Sequence, residues 1–431
     1  MRGLRSFVGL LAILIALGAY LYFVESKRDP NETGEKRDKV FTVEADAIEE
    51  VTVKAESGDQ TTLRKSGSDW QLVEPTTAPA DGTEVSGITS NLARLEQERL
   101  VEENPSDLGE FGLAQPRIEV GFKAGSTEGR LLIGSKTPTG ADLYAKTAAS
   151  PRVFLVASYI ESTFNRKPFD LRDKTALKFD RDAADALEIV TAGGTLSFGK
   201  KDGAWQIVQP PGARGDSAAI EGLLARLNSL QMKSIREEGK PTGLDKPAAT
   251  VKIGAGSAQT TLLVGGPAEE GAVYARDASR PAVFTIESSL LEDLKKDAGE
   301  YRQKDIFDAR AFNTTAIDIE KGTEKVGFEK KDGKWYQASP AAKEADAAKV
   351  DALLSALTSA RADSFVPALP TGAKPELTVS LASDEGRKRE RVIFARAGSD
   401  AFAQRDGTPG AAKIGADILD GILKALEAAR Q

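Results

Sequence analysis

The chain begins with an uncharged apolar run, FVGLLAILIALGAYLYFV, at residues 7–24. At about 1.5 Å per residue, a helix of this length nearly spans a hydrocarbon core of about 30 Å. Arg2 and Arg5 precede the run, and their positive charge favours a cytoplasmic N-terminus. The pattern therefore predicts a cytoplasmic tip and transmembrane anchor at residues 1–24. The anchor residues are Phe7, Leu10, Leu11, Ile13, Leu14, Ile15, Leu17, Tyr20, Leu21, Tyr22, Phe23 and Val24.

A polar segment, ESKRDPNETGEKRDK, follows at residues 25–39. It contains Pro and Gly and lacks apolar periodicity, which is typical of a flexible linker. We therefore expect a single-pass membrane protein with its bulk outside the cytoplasm. A cleaved signal peptide is the alternative, although no small-x-small cleavage pattern follows the apolar run.

The only three Trp residues mark an internal repeat. They are 135 and 130 positions apart, and each is followed five positions later by a proline. Asp202-Gly203 and Asp332-Gly333 precede the second and third Trp, and this dipeptide favours the positive φ angles of a tight hairpin turn. Each copy is therefore predicted to open with a β-hairpin or a β-meander. The repeat markers are Trp70 with Pro75, Trp205 with Pro210, and Trp335 with Pro340.

An apolar stripe with a helical period follows each Trp hairpin and predicts one amphipathic helix per copy. Asp216, Ser217 and Asp346 are candidate caps for these helices. A Gly-containing turn with Pro then leads into further strands, and a strand and a second helix close each copy. The stripes are Ile88, Leu92 and Leu95; Ile220, Leu223, Leu224 and Leu227; and Val350, Leu353, Leu354 and Leu357.

Strands that alternate in polarity and are joined by short connections predict antiparallel sheets with helices on one face. The predicted fold class is α+β: an N-terminal transmembrane helix followed by three tandem modules, each an antiparallel sheet covered by two helices. We place the first module at residues 40–174, the second at 175–305 and the third at 306–431.

Composition excludes several classes of function. The chain has 58 Lys and Arg against 65 Asp and Glu, a net charge of -7 that argues against nucleic acid as a partner. It has no Cys and no His, so Ser-His-Asp catalysis and zinc sites built from Cys and His are excluded. We predict no catalytic residue, no cofactor and no metal site.

Four polar or aromatic side chains are candidates for a ligand or partner surface. Tyr144 with Lys146, and Tyr274 with Arg276, occupy matching strands of the first two modules. They would line a groove for a sugar or an anionic polymer, or they would simply be the solvated side of a strand. The Trp residues also have two interpretations: they are exposed recognition anchors or they belong to the core. We favour the core.

Paired carboxylates offer the one catalytic alternative. Glu102-Glu103 and Glu237-Glu238 each begin 32 positions after their Trp. A glycosidase needs two carboxyls about 5–9 Å apart, whereas adjacent strand residues point to opposite faces. We therefore favour solvated side chains. The tripeptide Arg214-Gly215-Asp216 is common enough to occur by chance.

These landmarks resemble the bacterial domain-of-unknown-function 4340 family of membrane-anchored envelope proteins. The similar features are the N-terminal helix, the Trp-x-x-x-x-Pro motif, the Gly-Leu-x-x-Pro turns at Gly112 and Gly243, and LRDK at residues 171–174. The third module departs from the pattern, with a turn at Gly372 that is one residue shorter.

The resemblance implies an accessory role beside an ABC-type transporter similar to those of gliding systems. We expect a non-catalytic scaffold whose partners are the inner membrane and such a transporter or another envelope protein. A periplasmic glycan- or lipid-binding module is the alternative, and a carboxylate-based hydrolase is a more remote one.

Overall fold

A computed structural model describes residues 37–236, 241–269 and 271–431. These residues form three nine-stranded antiparallel sheets and six α-helices, so the fold is mostly β. The predicted anchor at residues 7–24 and most of the predicted linker lie outside the described residues. Among the described helices, none is both long and apolar enough to cross a membrane. The chain divides into two compact units, Met1–Lys174 with one sheet and Thr175–Gln431 with two.

The first sheet has the strand order β4-β3-β2-β1-β6-β7-β8-β9-β5. Its strands are β1 Glu50–Lys54, β2 Gln60–Ser66, β3 Asp69–Glu74, β4 Ala78–Pro79, β5 Arg99–Glu102, β6 Ile118–Ala124, β7 Thr127–Lys136, β8 Asp142–Thr147 and β9 Val153–Ala157. The chain thus runs outward from β1 at the centre to β4 at one edge, crosses to place β5 at the opposite edge, returns to the centre with β6, and builds outward until β9 pairs with β5.

The second sheet has the equivalent order, β13-β12-β11-β10-β15-β16-β17-β18-β14. Its strands are β10 Ala186–Thr191, β11 Gly194–Lys201, β12 Ala204–Gln209, β13 Ala213–Arg214, β14 Ser234–Ile235, β15 Ala249–Ala255, β16 Ala258–Pro267, β17 Ala272–Asp277 and β18 Phe284–Glu287.

The third sheet repeats the order once more, as β22-β21-β20-β19-β24-β25-β26-β27-β23. This shared order is compatible with the predicted three-repeat layout. Its strands are β19 Thr314–Lys321, β20 Glu324–Lys331, β21 Lys334–Ser339, β22 Lys343–Glu344, β23 Ser364–Val366, β24 Lys374–Ser383, β25 Lys388–Ala397, β26 Asp400–Arg405 and β27 Ala411–Ile414.

The hairpins that carry the second and third Trp turn at the predicted Asp-Gly dipeptides. The φ angles are 53° at Asp202 and 79° at Gly203, and 48° at Asp332 and 81° at Gly333. Positive φ at both central residues matches the right-handed twist of the flanking strands. The predicted hairpin turns are therefore confirmed.

The first helix of each module begins at an aspartate. The carboxylates of Asp81, Asp216 and Asp346 each accept hydrogen bonds from two backbone amides of the first turn. The predicted caps Asp216 and Asp346 are confirmed. Ser217, the third candidate, is not a cap but the first residue of its helix. The first helices are α1 Gly82–Arg94, α3 Ser217–Asn228 and α5 Ala347–Thr358, and the second helices are α2 Ile160–Phe164, α4 Ser289–Leu294 and α6 Ala416–Arg430.

Each sheet has one face buried beneath its helices. Leu92, Leu224 and Leu354, at matching positions of the three first helices, are fully buried. The strands contribute alternate residues to the same core, as in β1, where Val51 and Val53 are buried between more exposed neighbours. The alternate apolar residues of the strands and the apolar residues of the helices therefore pack together in one core per sheet.

Candidate functional site

The three repeated indoles are buried. Trp205 is 1% exposed and Trp335 is 2% exposed, and each indole N–H donates to a carboxylate on the adjacent helix. The donor–acceptor distances are 2.8 Å to Glu221 and 2.9 Å to Asp351. The hydrogen bond from Trp205, together with Lys200, holds the pKa of Glu221 below its usual range. Trp70 is also buried, at 9% exposed.

The three prolines of the repeated motif share one backbone feature. Pro75, Pro210 and Pro340 each follow a cis peptide bond. Pro210 also lies in the groove described below.

The tyrosines proposed for a ligand surface pack against protein. The ring of Tyr144 on β8 lies 5.1 Å from that of Phe111, and Tyr274 on β17 is only 7% exposed. Lys146 and Arg276, two residues further along the same strands, are half-buried. Neither tyrosine is among the residues that line the groove.

The candidate carboxylates do not form a catalytic pair within the described residues. Glu102 is exposed at the end of β5, and Glu103 pairs with Arg152 at 2.6 Å. Glu237 and Glu238 lie outside the described residues. The part of the chain that the structure describes contains no group of three or more acidic side chains placed to hold a metal ion.

A groove of about 690 Å³ lies between the second and third modules, within the second compact unit. The second module contributes the loop after β12 and a 3-10 helix, Ala298–Tyr301. The third module contributes β23 and the turn before β27. Its walls include Pro210, Ala213, Gly299, Phe365, Val366 and Pro409.

The edge of the third sheet forms one wall of this groove. Strand β23 pairs with β27 and has no second strand neighbour among the described residues. Five consecutive residues, 363–367, line the groove. Because side chains alternate between the two faces of a strand, lining by consecutive residues places the backbone edge toward the groove. Unpaired N–H and C=O groups on such an edge are available to another chain.

A smaller cavity of about 30 Å³ adjoins the groove and is lined by Arg214, Arg302 and Arg405. We call it the arginine pocket. Phe365 and Gly410 line both cavities, as does Arg302. The pocket and the groove are therefore adjacent and share these three residues as a boundary.

Two guanidinium groups of the arginine pocket share one carboxylate. Arg214 pairs with one oxygen of Asp308, and Arg405 pairs with the other at 2.9 Å. Arg214 also donates to the carbonyl of Asp305 at 2.5 Å. Since Arg214 belongs to the second module and Asp308 to the third, these contacts join the two modules.

Arg302 differs from the other two arginines in its partners. It donates to the carbonyl of Pro409 at 2.6 Å, and its guanidinium carbon lies 4.1 Å from the ring centroid of Phe365. Within residues 37–236, 241–269 and 271–431, no carboxylate pairs with it. Among the described residues, the interactions of the Arg302 guanidinium are thus with a neutral carbonyl dipole and an aromatic face.

In the arginine pocket, burial and the proximity of like charges destabilise the cationic forms of Arg214 and Arg302. Burial lowers the pKa of Arg214, and the nearby charge of Arg405 lowers it further. Burial and the charge of Arg214 likewise lower the pKa of Arg302. Burial acts to raise the pKa of Asp308, but the attraction of Arg214 and Arg405 outweighs it, so that pKa lies below its ordinary value.

Glu390 on β25 holds the start of the third module in place. Its carboxylate is 7% exposed and accepts the backbone N–H groups of Asp308 and Ala309 at 2.8 and 3.0 Å. Arg405 lies 3.5 Å from the same carboxylate. Asp308 is therefore positioned from its backbone as well as by its side chain.

Sequence reasoning missed this site. Arg214 belongs to the tripeptide that we attributed to chance, and Arg302 is not among the candidate residues that the sequence suggests. One signal was present: β13 ends in Arg214 where the matching strand β4 ends in Pro79. A cation that replaces proline at a repeated position marks a departure from the shared fold.

Comparison with known proteins identifies one family. The model for "Domain of unknown function (DUF4340)" matches residues 70–236 and 205–386, which together cover more than half of the chain. The two matches begin at Trp70 and Trp205, so their start points are offset by the spacing of the repeat. No curated protein and no solved structure matches this chain.

Proposed function

The chain belongs to the DUF4340 family, and from that premise we propose that it is a non-catalytic scaffold whose groove between the second and third modules receives a partner polypeptide. In this proposal, residues 7–24 anchor the protein in the bacterial inner membrane and the modules lie outside the cytoplasm. The partner is a subunit of an ABC-type envelope transporter or another envelope protein.

The observation that carries the proposal is the unpaired edge of β23 along one wall of the groove. Strand edges recruit extended peptides through main-chain hydrogen bonds, and adjoining pockets then select the side chains. Contacts also join the two sides of the groove, because Arg214 pairs with Asp308 and Arg302 donates to the carbonyl of Pro409. A rigid groove loses little conformational freedom when a partner binds.

The glycan- or lipid-binding alternative has less support. It depends on an accessible surface that contains Tyr144 and Tyr274, but Tyr274 is buried and Tyr144 packs against Phe111. The larger cavity lies elsewhere, and its lining contains no tyrosine and no tryptophan. We therefore place this function second.

Site-specific photocrosslinking in native membranes tests the scaffold function. A photoreactive amino acid in place of Ser364, at the groove wall, is expected to capture a transporter subunit or another envelope protein, identified by mass spectrometry. Lys325, 72% exposed and absent from the groove lining, is the control position. Equal capture from both positions, or no capture from Ser364, would contradict the proposal.

A further inference from the structure

The arginine pocket carries more positive charge than its own acidic residues neutralise. Five guanidinium groups lie in or beside it, whereas three carboxylates pair with them. The excess is concentrated at Arg302, which has no carboxylate partner among the described residues. The guanidinium groups belong to Arg214, Arg302, Arg310, Arg361 and Arg405, and the carboxylates to Asp305, Asp308 and Glu390.

The size of the pocket limits what can enter it. A single water requires about 10–15 Å³ of such space, and the pocket offers about 30 Å³. This is enough for a group of two or three heavy atoms, such as the head of a carboxylate. A planar guanidinium is well suited to bind that group through paired hydrogen bonds.

The groove beside the pocket offers a position for the polypeptide that carries this carboxylate. Asp297, Glu300 and Asp363 line the groove but not the arginine pocket, and the carboxylate that lines the pocket, Asp305, is already paired with Arg310 and Arg361. An extended chain that pairs with β23 points alternate side chains to the same face. One of those side chains can reach Arg302 through Phe365 and Gly410, the residues that border both cavities.

We propose that the arginine pocket binds one carboxylate of the partner polypeptide, so that the groove selects an extended segment with an acidic side chain at the position facing Arg302. This inference rests on the proposed scaffold function and adds the chemistry of the partner. The carboxylate pairs with Arg302, displaces water from the pocket and supplies the negative charge that the pocket lacks.

Peptide binding to the full-length protein tests the inference. The probe is a fluorescein-labelled peptide of about eight residues that alternates Val and Glu, long enough to run along β23 at about 3.3 Å per residue. The comparison peptide has Gln in place of Glu. By fluorescence anisotropy, we expect the Glu peptide to bind at least about tenfold more tightly than the Gln peptide, since a charge-assisted hydrogen bond is lost.

Substitution at the pocket should remove this preference. With Arg302→Gln the two peptides should bind equally, whereas Arg302→Lys should keep part of the preference because the charge remains. Arg389→Gln, at a site 70% exposed on the surface of β25, is the matched control and should leave the ratio unchanged. Thermal unfolding of each variant shows whether it is folded.

Three results would overturn the inference. The first is equal binding of the Glu and Gln peptides to the wild-type protein. The second is a ratio of Glu-peptide to Gln-peptide affinity in Arg302→Gln that is the same as in wild type. The third is stabilisation of the protein by inorganic phosphate together with no binding of either peptide, which would indicate a site for a free anion. If Arg302→Gln still crosslinks the same partner from Ser364, the scaffold function stands and only the carboxylate site is lost.

Discussion

Single side chains decide how the second and third modules join. Asp308 is paired with both Arg214 and Arg405, and its backbone is held by Glu390. Its pKa lies below the ordinary value because the two arginines outweigh its burial. A carboxyl with a lowered folded-state pKa contributes stability above its unfolded pKa, and this contribution is lost as the pH falls through the folded value.

Asp308→Asn should therefore lower the free energy of unfolding at neutral pH and narrow the difference from wild type in acid. The difference in the free energy of unfolding between variant and wild type begins to narrow near the pKa of an aspartate in the unfolded chain, about 3.9, and narrows further below that pH. Urea unfolding at neutral pH and at about pH 3 measures the effect. Asp245→Asn, at an exposed aspartate, is the control. A difference from wild type that is the same at both pH values would contradict this assignment.

At the scale of elements, the three first helices depend on their aspartate caps. Asp216 accepts from the amides of Ala218 and Ala219 at 2.9 and 3.1 Å. Without this side chain, two amide groups of the first turn lose their partner. Ser217 is the next residue along but is already helical, so it does not have the same role.

Asp216→Ala should destabilise the second unit by about 1 kcal/mol, the usual cost of a lost N-cap. Ser217→Ala should change the free energy of unfolding much less, because alanine is the best helix former. Urea unfolding of both variants provides the comparison. An equal loss in the two variants would show that the cap is not the source of the stability.

At the scale of the whole molecule, the same sheet occurs three times, but only the second and third sheets share a compact unit. Their junction contains Arg214, Asp308 and Arg405, and Arg302 adds its contacts with Phe365 and Pro409. The groove exists because these contacts hold two sheets side by side.

Loss of both inter-module arginines should loosen the junction while each sheet stays folded. In Arg214→Ala/Arg302→Ala, the amides near Asp308 should exchange with solvent at least about tenfold faster, since local opening then costs less free energy. Hydrogen–deuterium exchange read by mass spectrometry detects this. Core amides of β24 should be unchanged, and Arg389→Ala should match wild type. Equal protection in the double variant would show that other contacts hold the modules together.

Local chemistry made much of the fold predictable from the sequence. The Asp202-Gly203 turn, the Asp216 cap and the helical stripe at Leu224 depend on neighbours a few residues away. Such features are encoded by backbone preference and by periodicity. Their recurrence at a fixed spacing predicted three similar sheets, and the family match begins at two of the repeated Trp residues.

The candidate site depends on contacts that are distant in sequence, and only the tertiary structure decided it. Arg214 and Asp308 are 94 residues apart, and Arg302 meets Pro409 across 107 residues. Each arginine alone is typical of a solvated surface, and no periodicity relates one to another. What places their charges together is the packing of two repeated sheets, because the strength of an electrostatic interaction depends on distance in space and on burial, not on distance along the chain.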